Sequence, residues 1–185
     1  MPMASPAFFT AEAVRALPDD GNRYETVHGE LLVTPAPRGF HQRALGRLHL
    51  VLGNYLTSHG VEELLLSPAD ISFDDDTLVQ PDLFVADCRA YDRSLAWEDI
   101  RTLYLVIEIL SPSTARADRV TKRRLYQEQR IDEYWIVDTE QRHVEVWTPD
   151  AAAPVIERER LVWRHPRIAE ACMVDLGRVF ARVGG

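Results

Sequence analysis

Lysine is almost missing from this chain: of 21 basic residues, Lys122 is the sole lysine and the other 20 are arginine. A guanidinium keeps its proton in proteins and presents a wide planar fork, so a single compact ammonium marks a position where that difference matters, unless arginine-biased codon usage left it by chance. Cysteine is equally scarce. Cys88 and Cys172 lie far apart with no partner at metal-site spacing, which excludes a disulfide framework and a zinc knuckle and leaves two buried thiols as the reading. No apolar run approaches the roughly 18 residues that a membrane span needs. Met1 to Thr10 has no basic stretch leading into a long apolar one, so a cytoplasmic location is the expectation. There is no Walker loop, GxGxxG, HExxH, CxxC or GxSxG, and the six histidines are scattered without ligand spacing.

The 185 residues are 46% hydrophobic and 27% charged, ordinary globular values, and show no internal repeat or linker, so one α/β domain over residues 1–185 is expected. The net charge of -8 is the wrong sign for a protein that coats nucleic acid non-specifically. One stretch runs against it: Arg116 to Arg130 holds six basic and two acidic residues. A helix there could turn a basic side toward a polyanion.

Thr10 to Leu17 reads as a short helix capped by Thr10, and Tyr24 to Val33 as a hairpin around His28-Gly29. Leu45, Leu48, Leu52 and Leu56 recur at helical spacing within Phe40 to Ser58, with Gly60 closing that helix. Val61–Leu66, Ala69–Phe73 and Leu78–Val85 read as a strand meander, and Cys88–Arg101 as a loop with one helical turn. Leu103 to Leu110 is apolar on both alternating faces except at Glu108, as expected of a central strand covered on both sides. Ser111-Pro112-Ser113-Thr114 stops it and offers hydroxyl caps for a helix over Ala115–Arg130. Tyr134–Val137 and His143–Trp147 are further strands, Val155–Trp163 an edge strand, and Ile168–Phe180 weakly amphipathic. The four tryptophans show no repeat and read as core.

Glu108 needs explaining, because a carboxylate on such a strand costs several kcal/mol of desolvation unless paired. Its partner is either an arginine or a divalent cation, and a cation requires more oxygen ligands nearby. Asp82 offers one, on the strand expected beside that of Glu108. Lys122 follows 14 residues after Glu108, with Asp118 and Tyr126 one turn to either side, so the three can line one helix face. They are then either a site wall or a solvent-exposed ion pair.

The residues Tyr24-Glu25, Gly29-Glu30, His41, Pro81-Asp82, Val106 to Thr114, Asp118, Lys122, Tyr126 and Glu133 to Asp138 resemble the bacterial Uma-type putative restriction endonucleases, a branch of the PD-(D/E)XK nuclease superfamily. The resemblance runs from about residue 10 to residue 148. It implies a restriction-endonuclease-like core, a mixed central sheet flanked by helices, and hydrolysis of phosphodiester bonds, DNA being the expected substrate. It implies Asp82 and Glu108 as ligands of Mg²⁺ or Mn²⁺ and Lys122 as the catalytic lysine. The superfamily's usual lysine position, two after the second acid, holds Leu110 here, so the lysine has moved to the next helix. Glu25, Glu30, His41 and Asp118 form a second tier: Glu30 as an extra ligand or an exposed strand charge, His41 as a phosphate or proton contact or a helix-start contact. Such enzymes often cut two strands with two sites, which makes a homodimer an expectation. The rival reading is a catalytically silent binding or assembly module on the same fold, with Glu108 paired to Arg116 or Arg119.

Overall fold

The computed structural model describes residues 7–35, 39–61, 64–88, 97, 100 and 102–181. Most of the loop expected between Cys88 and Arg101 lies outside the described residues. Helix α1 (Ala11–Arg15) begins where the Thr10 side chain accepts the Ala13 N–H. Strands β1 (Arg23–Val27) and β2 (Glu30–Thr34) then form the expected hairpin, Val27 opposite Glu30. Its turn needs two positive φ angles, which His28 and Gly29 supply at 50° and 78°. Helix α2 (Gly39–Ser58) buries Leu48, Leu52 and Leu56 of the predicted stripe and leaves Leu45 half-buried.

The expected meander is corrected. Its strands are β3 (Leu64–Leu66), β4 (Ile71–Asp74), β5 (Thr77–Val79) and β6 (Leu83–Ala86), and they divide between two sheets. One sheet has the order β2-β1-β5-β4. The other places β3 and β6 beside β7 (Leu103–Ile109), followed by β8 (Glu133–Asp138), β9 (His143–Trp147) and β10 (Val155–Glu157). The apolar run Leu78–Val85 is thus cut at Gln80-Pro81-Asp82, where Pro81 has no N–H to continue a ladder and the chain crosses from one sheet to the other. Asp82 stands at that crossing.

Strand β7 is buried at every position, antiparallel to β6 and parallel to β8. Leu105, Ile107 and Ile109 join α2 in one core, while Val106 joins Leu125, Tyr126, Tyr134 and Ile136 in the other. Period-two alternation therefore aims Glu108 at the helix that follows β7. That helix is α-helical at 115–116, passes through a π-helical turn, Ala117–Lys122, in which the Arg123 N–H donates to the Asp118 carbonyl, and continues as α3 (Arg123–Glu128). Ser111 and Thr114 close the preceding turn on each other, the Ser111 N–H donating to Thr114 Oγ1, rather than capping the helix as expected. Val155–Trp163 is also corrected: only β10 edges the large sheet, and β11 (Arg160–Trp163) pairs with β12 (Cys172–Asp175) ahead of the short helix α4 (Leu176–Val179). Trp135, Trp147 and Trp163 are buried, as is Cys172, while Cys88 is half-buried.

Candidate active site

Leu83 pairs with Ile107, which brings Asp82 level with Glu108 on adjacent antiparallel strands. The Asp82 carboxylate is buried and takes three donors: the Ile109 N–H at 2.9 Å and Arg23 at 3.0 Å, with His41 Nε2 at 3.0 Å. Burial opposes its ionisation, but the His41 hydrogen bond and the Arg23 charge outweigh that and take Asp82 down to about 2.

Glu108 is approached from the helix. Lys122 Nζ donates to Glu108 Oε1 at 2.9 Å and the Tyr126 hydroxyl to the same oxygen at 3.2 Å. The Lys122 ammonium also lies 2.8 Å from Glu25 Oε2 and 3.8 Å from Asp118 Oδ1. The contact with Glu25 is an ion pair by distance without hydrogen-bond geometry, so Glu25 Oε2 is buried with no donor. Its other oxygen accepts the Gln80 N–H at 2.7 Å.

One ammonium thus faces three carboxylates. Burial pushes Glu108 up to about 8 against the pull of Lys122, with Asp82, Asp118 and Glu25 adding to the rise. Burial likewise raises Asp118 to about 6 against Lys122 and Thr114. Burial disfavours the Lys122 charge, but Glu108, Glu25 and Asp118 reverse that and hold it above its ordinary range.

A cavity of about 200 Å³ opens onto this group, walled by Arg23, His41, Asp82, Glu108 and Asp118, with Ser111 to Thr114 at one side. Through Arg23, His41 and Asp82 it joins a larger cleft of about 560 Å³. Lys122 is not on the cavity wall; it backs Glu108 from below. Asp82, Glu108, Lys122, Asp118 and His41 are therefore brought together, and Glu25 with them, while Glu30 stands exposed at the start of β2 away from the cavity. Arg23 was not singled out in the sequence. Its signal was its place two residues before Glu25, on the same face of a strand.

The donor set suits a hard cation. Carboxylate oxygens line the cavity, and a divalent ion such as Mg²⁺ needs only one or two of them beside waters and phosphate oxygens. Among the described residues Asp82 and Glu108 form no trio with a third His, Cys or carboxylate whose ligand atoms all lie within 4.8 Å of one another. Among the described residues the one such trio within 4.8 Å is His28, Asp74 and Asp76, exposed or half-exposed at two hairpin turns, where His28 Nε2 is held by Glu128 at 3.0 Å.

The basic side expected of Arg116–Arg130 is corrected by the ion pairs. Arg119 is bound by Asp138 at 2.9 Å and Glu145 at 2.6 Å, Lys122 is buried, Arg123 packs over Trp147, and Arg130 is bound by Asp150. Within the run Arg116–Arg130, Arg116 and Arg124 are the arginines that stand exposed with no carboxylate partner among the described residues.

This architecture is a restriction-endonuclease-like α/β fold, a mixed sheet with a carboxylate cavity at the crossing into a second sheet. The family described as "Uma2: Putative restriction endonuclease" matches residues 11–170, and the chain belongs to that family. No curated protein matches it. Among solved structures it is similar to a protein described as "a putative nuclease belonging to DUF820 from Anabaena variabilis ATCC 29413". The TM-score is 0.72 at 19% identity, over 93% of this chain and 97% of the other, which establishes a shared fold.

Proposed function

We propose that this chain is a metal-dependent nuclease that hydrolyses phosphodiester bonds of DNA. The observation that carries the reading is the surplus of buried negative charge: Glu25, Asp82, Glu108 and Asp118 converge on Lys122 and Arg23. A core gains nothing from such an excess, since unpaired buried carboxylates are costly, whereas a cation site requires it. Asp82 and Glu108 are the residues that would hold Mg²⁺ or Mn²⁺. When bound, such an ion supplies Lewis-acid polarisation of the phosphate and a more acidic attacking water.

The chain's own residues then divide the work. Arg23, His41 and the Ile109 N–H orient the Asp82 carboxylate. Tyr126 and Lys122 orient Glu108, and Lys122 favours its ionised form. Lys122 is accordingly a positioning residue acting through Glu108. Family membership and the fold support the nuclease class.

The test is cleavage of supercoiled and single-stranded DNA with Mg²⁺ or Mn²⁺ added back after EDTA, for wild type, Asp82→Asn, Glu108→Gln and Lys122→Ala. Cutting that depends on metal and is lost in Asp82→Asn and Glu108→Gln is expected. Lys122→Ala should cut weakly, with its activity displaced to higher pH because Glu108 has lost its cation. A second reading, a silent module on the same fold, draws on one fact: Asp82 and Glu108 already hold internal cationic partners, although Glu108 takes Lys122 and neither Arg116 nor Arg119. Absence of cutting together with absence of metal binding would favour it.

A further inference from the structure

A second cavity of about 410 Å³ lies beside the carboxylate cavity and shares His41, Ser111 and Pro112 with it. Its size falls in the roughly 300–1,000 Å³ range of ligand sites. The start of α2 supplies Phe40 and Arg43, and the β8–β9 turn supplies Arg142. Arg15, Arg23, Arg119, Arg130 and Arg178 all face carboxylates, whereas Arg43 and Arg142 have no carboxylate partner among the described residues. Arg47, deeper in, is committed to the Val179 and Ala181 carbonyls, and Glu140 is the one acid on the wall. The cavity is thus locally basic in a chain of net charge -8.

Phe40 adds a ring that is 62% exposed, with the Arg43 guanidinium 5.4 Å from its centroid. Such an aromatic–arginine pair is a platform for a nucleobase, because every base offers a π-face and guanidinium planes stack as well as rings do. The wall common to both cavities includes His41, whose Nδ1 is buried with no hydrogen-bond partner while Nε2 is held by Asp82. The His41 bond to Asp82 links this cavity to the carboxylate cavity.

We propose that this cavity holds the nucleotide next to the scissile phosphate of a single DNA strand, with Phe40 and Arg43 stacking its base and Arg142 and Arg43 facing its phosphates. The inference rests on the nuclease reading for the word scissile, and its test is binding rather than cutting. A fluorescent single-stranded oligonucleotide is titrated with the full chain in Ca²⁺ and again in EDTA, over a series of salt concentrations. Compared with wild type are Phe40→Ala, Arg43→Ala, Arg142→Asn and, as a control, Arg124→Ala. Asparagine is used at 142 because φ there is 55°, which asparagine tolerates.

Each arginine variant is expected to lower the slope of log Kd against log salt by about 0.7, the value for one phosphate contact on a single strand. Phe40→Ala should weaken binding at least about fivefold, as loss of one stacked base does. Arg124→Ala should bind as wild type does. Equal binding by the three cavity variants and wild type, an equal loss in Arg124→Ala, or no binding by wild type under either condition would each overturn the proposal. Cleavage by wild type with Mg²⁺ is scored separately, so an inactive protein that still binds through Phe40, Arg43 and Arg142 would sink the nuclease reading and leave this cavity assigned.

Discussion

Lys122 and Glu108, 14 residues apart in sequence, close a 2.9 Å charge-assisted hydrogen bond between the helix and the central strand, and both are almost wholly buried. The bond does not balance the site, because Glu25 and Asp118 crowd the same ammonium. Function and stability therefore pull apart here. Glu108→Gln removes one surplus charge and keeps the shape, so it should leave unfolding free energy within about 1 kcal/mol of wild type or raise it, while cleavage is lost. Lys122→Ala leaves three buried carboxylates without their cation and should cost about 3–5 kcal/mol. Urea denaturation of both variants in EDTA checks the pair; equal destabilisation would mean that Glu108 is a structural partner only.

The same surplus sets a pH dependence. Glu108 rises from an ordinary 4.5 to about 8 and Asp118 from 3.8 to about 6 on folding. Between those values the folded state holds more protons than the unfolded one, so their contribution makes stability fall as pH rises from about 4 to about 8, and level off above it. Asp82, lowered to about 2, acts oppositely, and its contribution is lost only as pH falls below its ordinary 3.8. Thermal melts in EDTA should show the decline, and Glu108→Gln and Asp118→Asn should each flatten it. A wild-type stability that climbs steadily through pH 5 to 8, with variants parallel to it, would contradict the assignment.

Much of this site could be read before any geometry. The alternating apolar pattern of Leu103–Leu110 isolates Glu108, and the 14-residue step to the sole lysine places Lys122 on the helix that returns over that face. The β1–β2 turn was visible in His28-Gly29, and α2 in its leucine spacing, because those signals are local. What stayed hidden depends on pairing between distant strands. Nothing local separates β5 from β6 except Pro81, so the crossing between sheets that positions Asp82 reads as one strand. Arg23 enters the site, and the second-tier Glu25 meets the Gln80 N–H, only because β1 pairs with β5, Thr26 opposite Leu78. The basic run Arg116–Arg130 misled for a related reason. Its acid partners Asp138, Glu145 and Asp150 lie on later elements, and composition within a window cannot register them.

Metal binding should be detectable without catalysis. An ion that binds the folded state alone stabilises it by RT ln(1 + [L]/Kd), about 2.7 kcal/mol at a hundredfold excess over Kd. Adding Mg²⁺ or Mn²⁺ to EDTA-treated wild type should raise the melting temperature, and Asp82→Asn or Glu108→Gln should abolish the shift. Because Glu108 must give up its proton, the shift should grow toward pH 8. His28→Ala, which removes the exposed trio at the hairpin turns, serves as the counter-test: if that variant loses the shift while Asp82→Asn keeps it, the metal binds at the wrong end of the molecule for this mechanism.

Arg119 gives the last test, of whether positive charge on the helix serves the fold or a nucleic acid. Its guanidinium joins Asp138 and Glu145, and Asp138 Oδ1 in turn accepts the Glu140 and Gln141 N–H groups that shape the turn before Arg142. Arg119→Gln should therefore cost about 1–2 kcal/mol in urea denaturation, a partly exposed pair being worth less than a buried one. The loss should be greatest near neutral pH. Asp138 is lowered by its hydrogen bonds and by the Arg119 charge despite burial, so that contribution is present above its ordinary 3.8 and fades as pH falls through the lowered value. The salt dependence of oligonucleotide binding, measured where both proteins are fully folded, should be the same for Arg119→Gln and wild type. A slope reduced as far as in Arg43→Ala would instead mean that the helix turns Arg119 to the phosphate backbone when DNA is bound, breaking its pairs with β8 and β9.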